Sequence, residues 1–175
     1  MRYIALLRGI NVGGRNKIKM ETLREMFTSL GFKNVESYIN SGNVGFDTRK
    51  SENRKLAEEI ARAIEKEFSL SIKVLVRSKP EIENIIENNP FEGQFENDKD
   101  LHLFFLDEEM PFDQSERLLS KANPNERIVI RNREIYCLLR ISFLDSFIGK
   151  GFIDKKLKVP TTARNWQTVK RIAEL

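Results

Sequence analysis

Leu6-Leu7-Arg8-Gly9-Ile10-Asn11-Val12-Gly13-Gly14-Arg15-Asn16-Lys17-Ile18-Lys19-Met20 leaves an apolar run, crosses a glycine-rich loop whose charges are all basic, and enters an amphipathic segment. The apolar run, residues 2–8, is short and closed by Gly9, the pattern of a buried strand. After it, Met20, Leu23, Met26, Phe27 and Leu30 recur at helical spacing and Gly31 supplies a stop. Val35 to Asn40 and Asn43 to Phe46 flank a tight Ser41-Gly42 turn, the signature of a hairpin. Leu56, Ile60, Ala63, Ile64 and Phe68 then predict a second amphipathic helix, and Ile72 to Arg77 another strand. Strand, helix, strand, strand, helix, strand is the split βαβ order of an α+β, ferredoxin-like sheet with helices on one face.

The second half starts with the same order. Ser78, followed by Pro80 and Glu81, reads as a helix N-cap, with Ile82, Ile85 and Ile86 as the buried stripe. Leu101 to Leu106 is a strand, Asp113 opens a short helix carrying Leu118, Leu119 and Ala122, and 126–131 with 134–140 form a hairpin. Residues 141–160 carry no clear period, and a closing helix is predicted over about 165–174. The expectation is therefore a ferredoxin-like subdomain over residues 1–78 and a second, incomplete one over 79–175.

Composition narrows the class. With 40% hydrophobic and 32% charged residues, the 175-residue chain is of ordinary globular type. A body of this size buries about 70% of its unfolded surface and needs no staples. The single cysteine, Cys137, sits in an apolar run and excludes an internal disulfide. No run approaches the ~20 apolar residues of a membrane span, and Tyr3 to Leu7 is too short for a signal peptide. A cytoplasmic protein with no membrane association is expected, its oligomeric state left open. The net charge of +4 is unevenly spread. Residues 1–19 carry five Lys/Arg and no acid, and residues 147–175 carry seven against two. Residues 92–109 reverse this, with seven acids against Lys99.

Both basic ends hold segments rich in Arg, Asn and small residues, which makes an anionic ligand the natural guest. The candidate ligand-binding residues are Arg8, Asn11, Gly13, Gly14, Asn16, Lys17, Asn40, Ser41, Asn43, Arg164 and Asn165. In a split βαβ sheet the first strand's exit loop and the next hairpin open at the same end, so 9–19 and 40–43 should be neighbours. The loop matches neither phosphate motif closely. Gly9 and Gly14 have P-loop spacing, but Arg15-Asn16 stand where Lys-Ser/Thr belongs, and the G-x-G-x-x-G spacing fails. Its glycines could still form an anion-binding nest of backbone N–H groups. Each Asn could instead cap a turn through its own backbone. Arg164, at a helix start, would oppose the macrodipole unless an anion lay between; alternatively Asn165 is the N-cap and Arg164 lies outside the helix.

Catalytic and metal-binding patterns are missing. His102 lies within an apolar strand, no His/Cys cluster suits zinc, and no G-x-S-x-G elbow is present. No catalytic residue, metal or cofactor is assigned. Residues 6–20, 37–43 and 161–166 offer cations, amides, hydroxyls and N–H groups, which stabilise negative charge but supply no general base.

Leu6-Leu7-Arg8-Gly9-Ile10-Asn11-Val12-Gly13-Gly14, with Tyr38-Ile39-Asn40-Ser41-Gly42-Asn43-Val44 and Thr162-Ala163-Arg164-Asn165-Trp166, resembles a widespread bacterial group, domain of unknown function 1697. The resemblance implies an α+β body of two ferredoxin-like subdomains and no particular activity. One departure is Phe147-Ile148-Gly149-Lys150-Gly151-Phe152, which matches the corresponding family segment only loosely. Three functional readings follow. The first is a binding module for a phosphorylated small molecule or nucleic-acid backbone, although the aromatic pattern of RNA-recognition strands is missing from Val44-Gly45-Phe46. The second is an enzyme acting on an anionic substrate through Lys17, Ser41 or a distal carboxylate. The third is a structural role in which Arg and Asn only tie loops together.

Overall fold

A computed structural model describes all residues, Met1–Leu175. They form an α+β fold with two four-stranded antiparallel sheets. Two compact units result: Met1–Ile86 with Lys170–Leu175, and Glu87–Val169. The last six residues thus group with the first unit.

The first unit contains β1 (Arg2–Leu7), α1 (Met20–Ser29), β2 (Lys33–Tyr38), β3 (Asn43–Asp47), α2 (Asn53–Phe68), β4 (Val74–Ser78) and α3 (Lys79–Glu87). Its strand order is β2-β3-β1-β4, every neighbour antiparallel. Tyr3, Ala5 and Leu7 alternate along β1 and face one core with Val44, Phe46, Val74 and Val76. Leu23, Met26 and Phe27 of α1 and Leu56, Ile60 and Ile64 of α2 close that core. Phe32 and Phe46 pack at a ring separation of 4.5 Å, and Phe27 meets Phe46 edge-on at 5.5 Å. A capping box starts α3: Ser78 N–H and Oγ–H both donate to Glu81, whose own N–H points back at Ser78 Oγ.

The second unit contains β5 (Leu101–Leu106), α4 (Phe112–Leu119), β6 (Glu126–Arg131), β7 (Glu134–Leu139), a π-helical turn (Phe152–Lys156) and β8 (Thr161–Asn165), with the start of α5 (Trp166–Ile172). Its order, β6-β7-β5-β8, repeats that of the first sheet. The expected incompleteness is corrected here. A fourth strand exists, β8, paired to β5 from Leu106↔Thr161 to His102↔Asn165. Thr161, Thr162 and Arg164 are buried polar residues on it, so no apolar alternation marks the strand. Cys137 is fully buried in the core with Phe104, Leu106, Ile135 and Leu139, and burial pushes its thiol far up, leaving it inert. No helix is long and apolar enough to cross a membrane.

Gly42 joins the hairpin to the strand exit. Its φ is +81°, and Leu7 N–H donates to its carbonyl at 2.8 Å. A Cβ there would lie 2.7 Å from Leu7 Cβ and 2.9 Å from Ile10 Cδ1. Gly42→Ala should therefore lower unfolding free energy by about 2 kcal/mol, combining left-handed strain with overpacking. Urea denaturation checks this; an unchanged midpoint would contradict it.

Candidate functional site

The loop between β1 and α1 is a miniature hairpin. Arg15 N–H donates to Val12 O at 3.0 Å and Asn11 N–H to Asn16 O at 3.1 Å. Gly13 (φ +57°) and Gly14 (φ +74°) occupy its two central positions, as a type I′ turn requires. The glycines make a turn, then, rather than a nest, which needs right- and left-handed residues in alternation. Asn11 (φ +54°) and Asn16 (φ +47°) flank them in the left-handed region, which asparagine tolerates better than most residues.

Asn11 holds the loop in place. Its Nδ2 donates to Ile18 O and to Asn40 O, each at 2.9 Å, and its Oδ1 accepts from Ile18 N–H at 2.9 Å. One carboxamide thus ties the loop to the entry of α1 and to the β2–β3 hairpin. The adjacency of 9–19 and 40–43 expected from topology is present. Asn16 Nδ2 donates to Gly9 O at 3.0 Å. Asn43 is fully buried, with Nδ2 donating to Tyr38 O and Ser41 Oγ at 3.1 Å each. The side chains of Asn11, Asn16 and Asn43 are therefore spent on the fold. Arg8 also has interactions within the fold, its N–H donating to Lys73 O at 3.0 Å.

What remains is a hollow of about 560 Å³ lined by Asn11, Gly14, Lys17, Ile18, Lys19, Met20 and Asn40. Its only charges are Lys17 and Lys19. Both are exposed, as is Arg15 beside them, and none of the three has an ion-pair partner. Lys19 is the N-cap of α1, and no side chain caps that helix. Backbone N–H groups of the first turn therefore lack a side-chain acceptor, with Glu21 the one acid there. A cation at a helix start is unfavourable by about 0.3–1 kcal/mol unless an anion intervenes. The conflict anticipated for Arg164 is thus found at Lys19. The signal was a lysine, rather than Ser, Thr, Asp or Asn, at the head of the apolar period. Beside the lining residue Asn40, Ile39 has φ +49°, a strained conformation for a β-branched side chain, and is 49% exposed.

The third segment lies in the other unit and has a different role. Arg164 is on β8, outside the helix, in register with Leu103; it is buried, and Nη1 donates to Ala163 O at 2.8 Å. Burial lowers its pKa to about 10. Asn165 is the N-cap of α5, its Oδ1 accepting from Thr168 N–H at 2.9 Å. Trp166 is packed beside Tyr136, ring centres 6.3 Å apart. Of the two readings the sequence allows, the N-cap is the one observed.

Elsewhere the titratable groups have structural explanations. No group of three His, Cys, Asp or Glu is placed to hold a metal ion. Burial would raise the Glu81 carboxyl, but donors from Asn53 and Ser78, with Arg77 nearby, outweigh it and hold the group below the usual range. His102 is stacked on Phe143 at 4.5 Å. Burial lowers its pKa despite the opposing Asp100 charge and a backbone hydrogen bond at Lys99. The unfolded chain therefore binds the His102 proton first, and stability should fall as pH drops below about 6.5 towards the folded pKa. His102→Gln should flatten the urea-midpoint difference between pH 7.5 and 5.5; an unchanged slope would contradict the assignment.

Residues 1–136 match a family described as protein of unknown function, DUF1697. The solved structure of conserved bacterial protein SP0830 from Streptococcus pneumoniae is similar, with a TM-score of 0.77 and 29% identity. The match covers 99% of this chain and 97% of that one. No curated protein matches.

Proposed function

This chain belongs to the DUF1697 family, and from that premise we propose that the hollow at the head of α1 binds the phosphoryl group of a small molecule or a nucleic-acid backbone. The observation that carries the proposal is the lining itself. Lys17 and Lys19 stand beside the uncapped first turn of α1, and no carboxylate shares the wall. An anion there would accept backbone N–H bonds and relieve the clash between Lys19 and the macrodipole. Asn40 is exposed on the facing side of the hollow and supplies an amide donor. The lining contains no carboxylate, histidine or thiol, so the reading is a binder rather than a catalyst. Asn16 and Asn43 shape the surrounding loops, and Asn11, bonded to Ile18 and Asn40, forms part of the lining. We further read both sheets as ferredoxin-like and the setting as cytoplasmic.

Titration with inorganic pyrophosphate, followed by amide chemical shifts, tests this. Shifts should centre on residues 17–22 and 40, and binding should weaken steeply with salt. Lys17→Glu/Lys19→Glu should weaken binding by roughly tenfold or more, since each reversed charge contributes on the order of 1 kcal/mol. Shifts scattered elsewhere, or binding indifferent to the double variant, would refute the proposal. A single-stranded oligonucleotide that binds more tightly than pyrophosphate, with a steep salt slope, would select the nucleic-acid form.

A further inference from the structure

The outer edge of the second sheet carries an inference independent of the anion hollow. β6 is an edge strand, paired only to β7 through the register Glu126↔Leu139 to Arg131↔Glu134. In an antiparallel ladder, residues alternate between those bonded to the partner strand and those whose N–H and C=O point away. Glu126 is in the outward phase, because its N–H and C=O exchange bonds with Asn123 at 3.0 and 3.1 Å. Ile128 and Ile130 share that phase. Their backbone donors and acceptors therefore point away from β7, and no hydrogen bond in the fold takes them up.

This edge borders a groove of about 400 Å³ lined by Phe91, Ala122, Asn123, Pro124 and residues 127–129. Ile128 and Ile130 face the core of the unit, so Arg127, Val129 and Arg131 form the opposite row. Arg127 lies over the Phe91 ring at 5.0 Å and donates to Gln94 Oε1 at 2.8 Å. Arg131 donates to Asn88 O. Both guanidinium groups thus meet neutral acceptors, and neither is ion-paired, although Glu134 stands opposite Arg131 in the ladder. Between them Val129 is only partly covered.

We propose that β6 accepts an acidic, extended peptide segment of a partner protein as an added strand. Its residues bond the outward groups of Ile128 and Ile130. Side chains on its Arg127–Val129–Arg131 face follow the pattern acidic, any, apolar, any, acidic, because alternate residues of a strand share one face. Charge decides against a second copy of this chain. In the antiparallel β6–β6 register that uses both Ile128 and Ile130, Arg127 of one copy would oppose Arg131 of the other, a destabilising like-charge pair.

The test uses the full-length protein and the peptide acetyl-Thr-Glu-Thr-Val-Thr-Glu-Thr-amide, titrated while backbone amide shifts are followed. Perturbations should centre on residues 126–131 and on Phe91. Methylating the amide nitrogens of the two threonines beside Val removes the bonds to β6 and should weaken binding roughly tenfold, about 1.4 kcal/mol. Ile130→Pro removes an outward N–H, at a position where edge strands tolerate proline, and should weaken it similarly. Arg127→Glu/Arg131→Glu should transfer the preference to the same peptide with lysine for glutamate, an effect that misfolding cannot mimic. The proposal is overturned if the peptide binds nowhere at millimolar concentration or is indifferent to N-methylation. Self-association through 126–131, seen as concentration-dependent shifts without peptide, would overturn it as well.

Discussion

The first unit's candidate site depends on how one carboxamide is spent. The Asn11 side chain donates twice and accepts once, each bond at 2.9 Å, and its partners come from the start of α1 and from the β2–β3 hairpin. A hydroxyl has one proton and could not reproduce the two donors; a carboxylate accepts but does not donate. The left-handed backbone at Asn11 adds a second restriction, because β-branched residues are poorly tolerated there. Asparagine meets both demands. With Asn11 in place, Lys17, Ile18, Lys19 and Met20 become one wall and Asn40 another.

This arrangement separates shape from charge. The amides are spent in holding the loop, whereas the lysines point outward without ion pairs. Close packing reinforces the clamp at Gly42, whose missing Cβ lets the hairpin lie against Leu7 and Ile10. The β1 ladder is prolonged on both sides by Leu7 N–H to Gly42 O and Arg8 N–H to Lys73 O, so the loop leaves from a fixed base. A glycine-rich surface loop would otherwise be mobile, because glycine has the most backbone freedom to lose.

Much of this was legible in the amino-acid order. The apolar run into β1, the three-and-four spacing of Leu23, Met26 and Phe27, and the turn at Gly42 specify local structure strongly. Element order alone was enough to bring residues 9–19 and 40–43 together. β8 was not legible, because an edge strand with Thr161, Thr162 and Arg164 buried shows neither alternation nor an apolar run. Nor does composition distinguish an asparagine that meets a ligand from one that meets its own backbone. The difference lies in φ angles and in hydrogen-bond partners, which the fold itself supplies to Asn11, Asn16, Asn43 and Asn165. Lys19 carries no site signature in the sequence, because its significance is that it is a poor helix cap.

The most direct test is hydrogen exchange at the Ile18 amide in Asn11→Ala, paired with pyrophosphate affinity. The account predicts that Ile18 loses its protection while amides in the centres of β1 and β3 keep theirs, and that affinity drops although every lysine is intact. Retained protection at Ile18, or unchanged affinity once the clamp is cut, would contradict it.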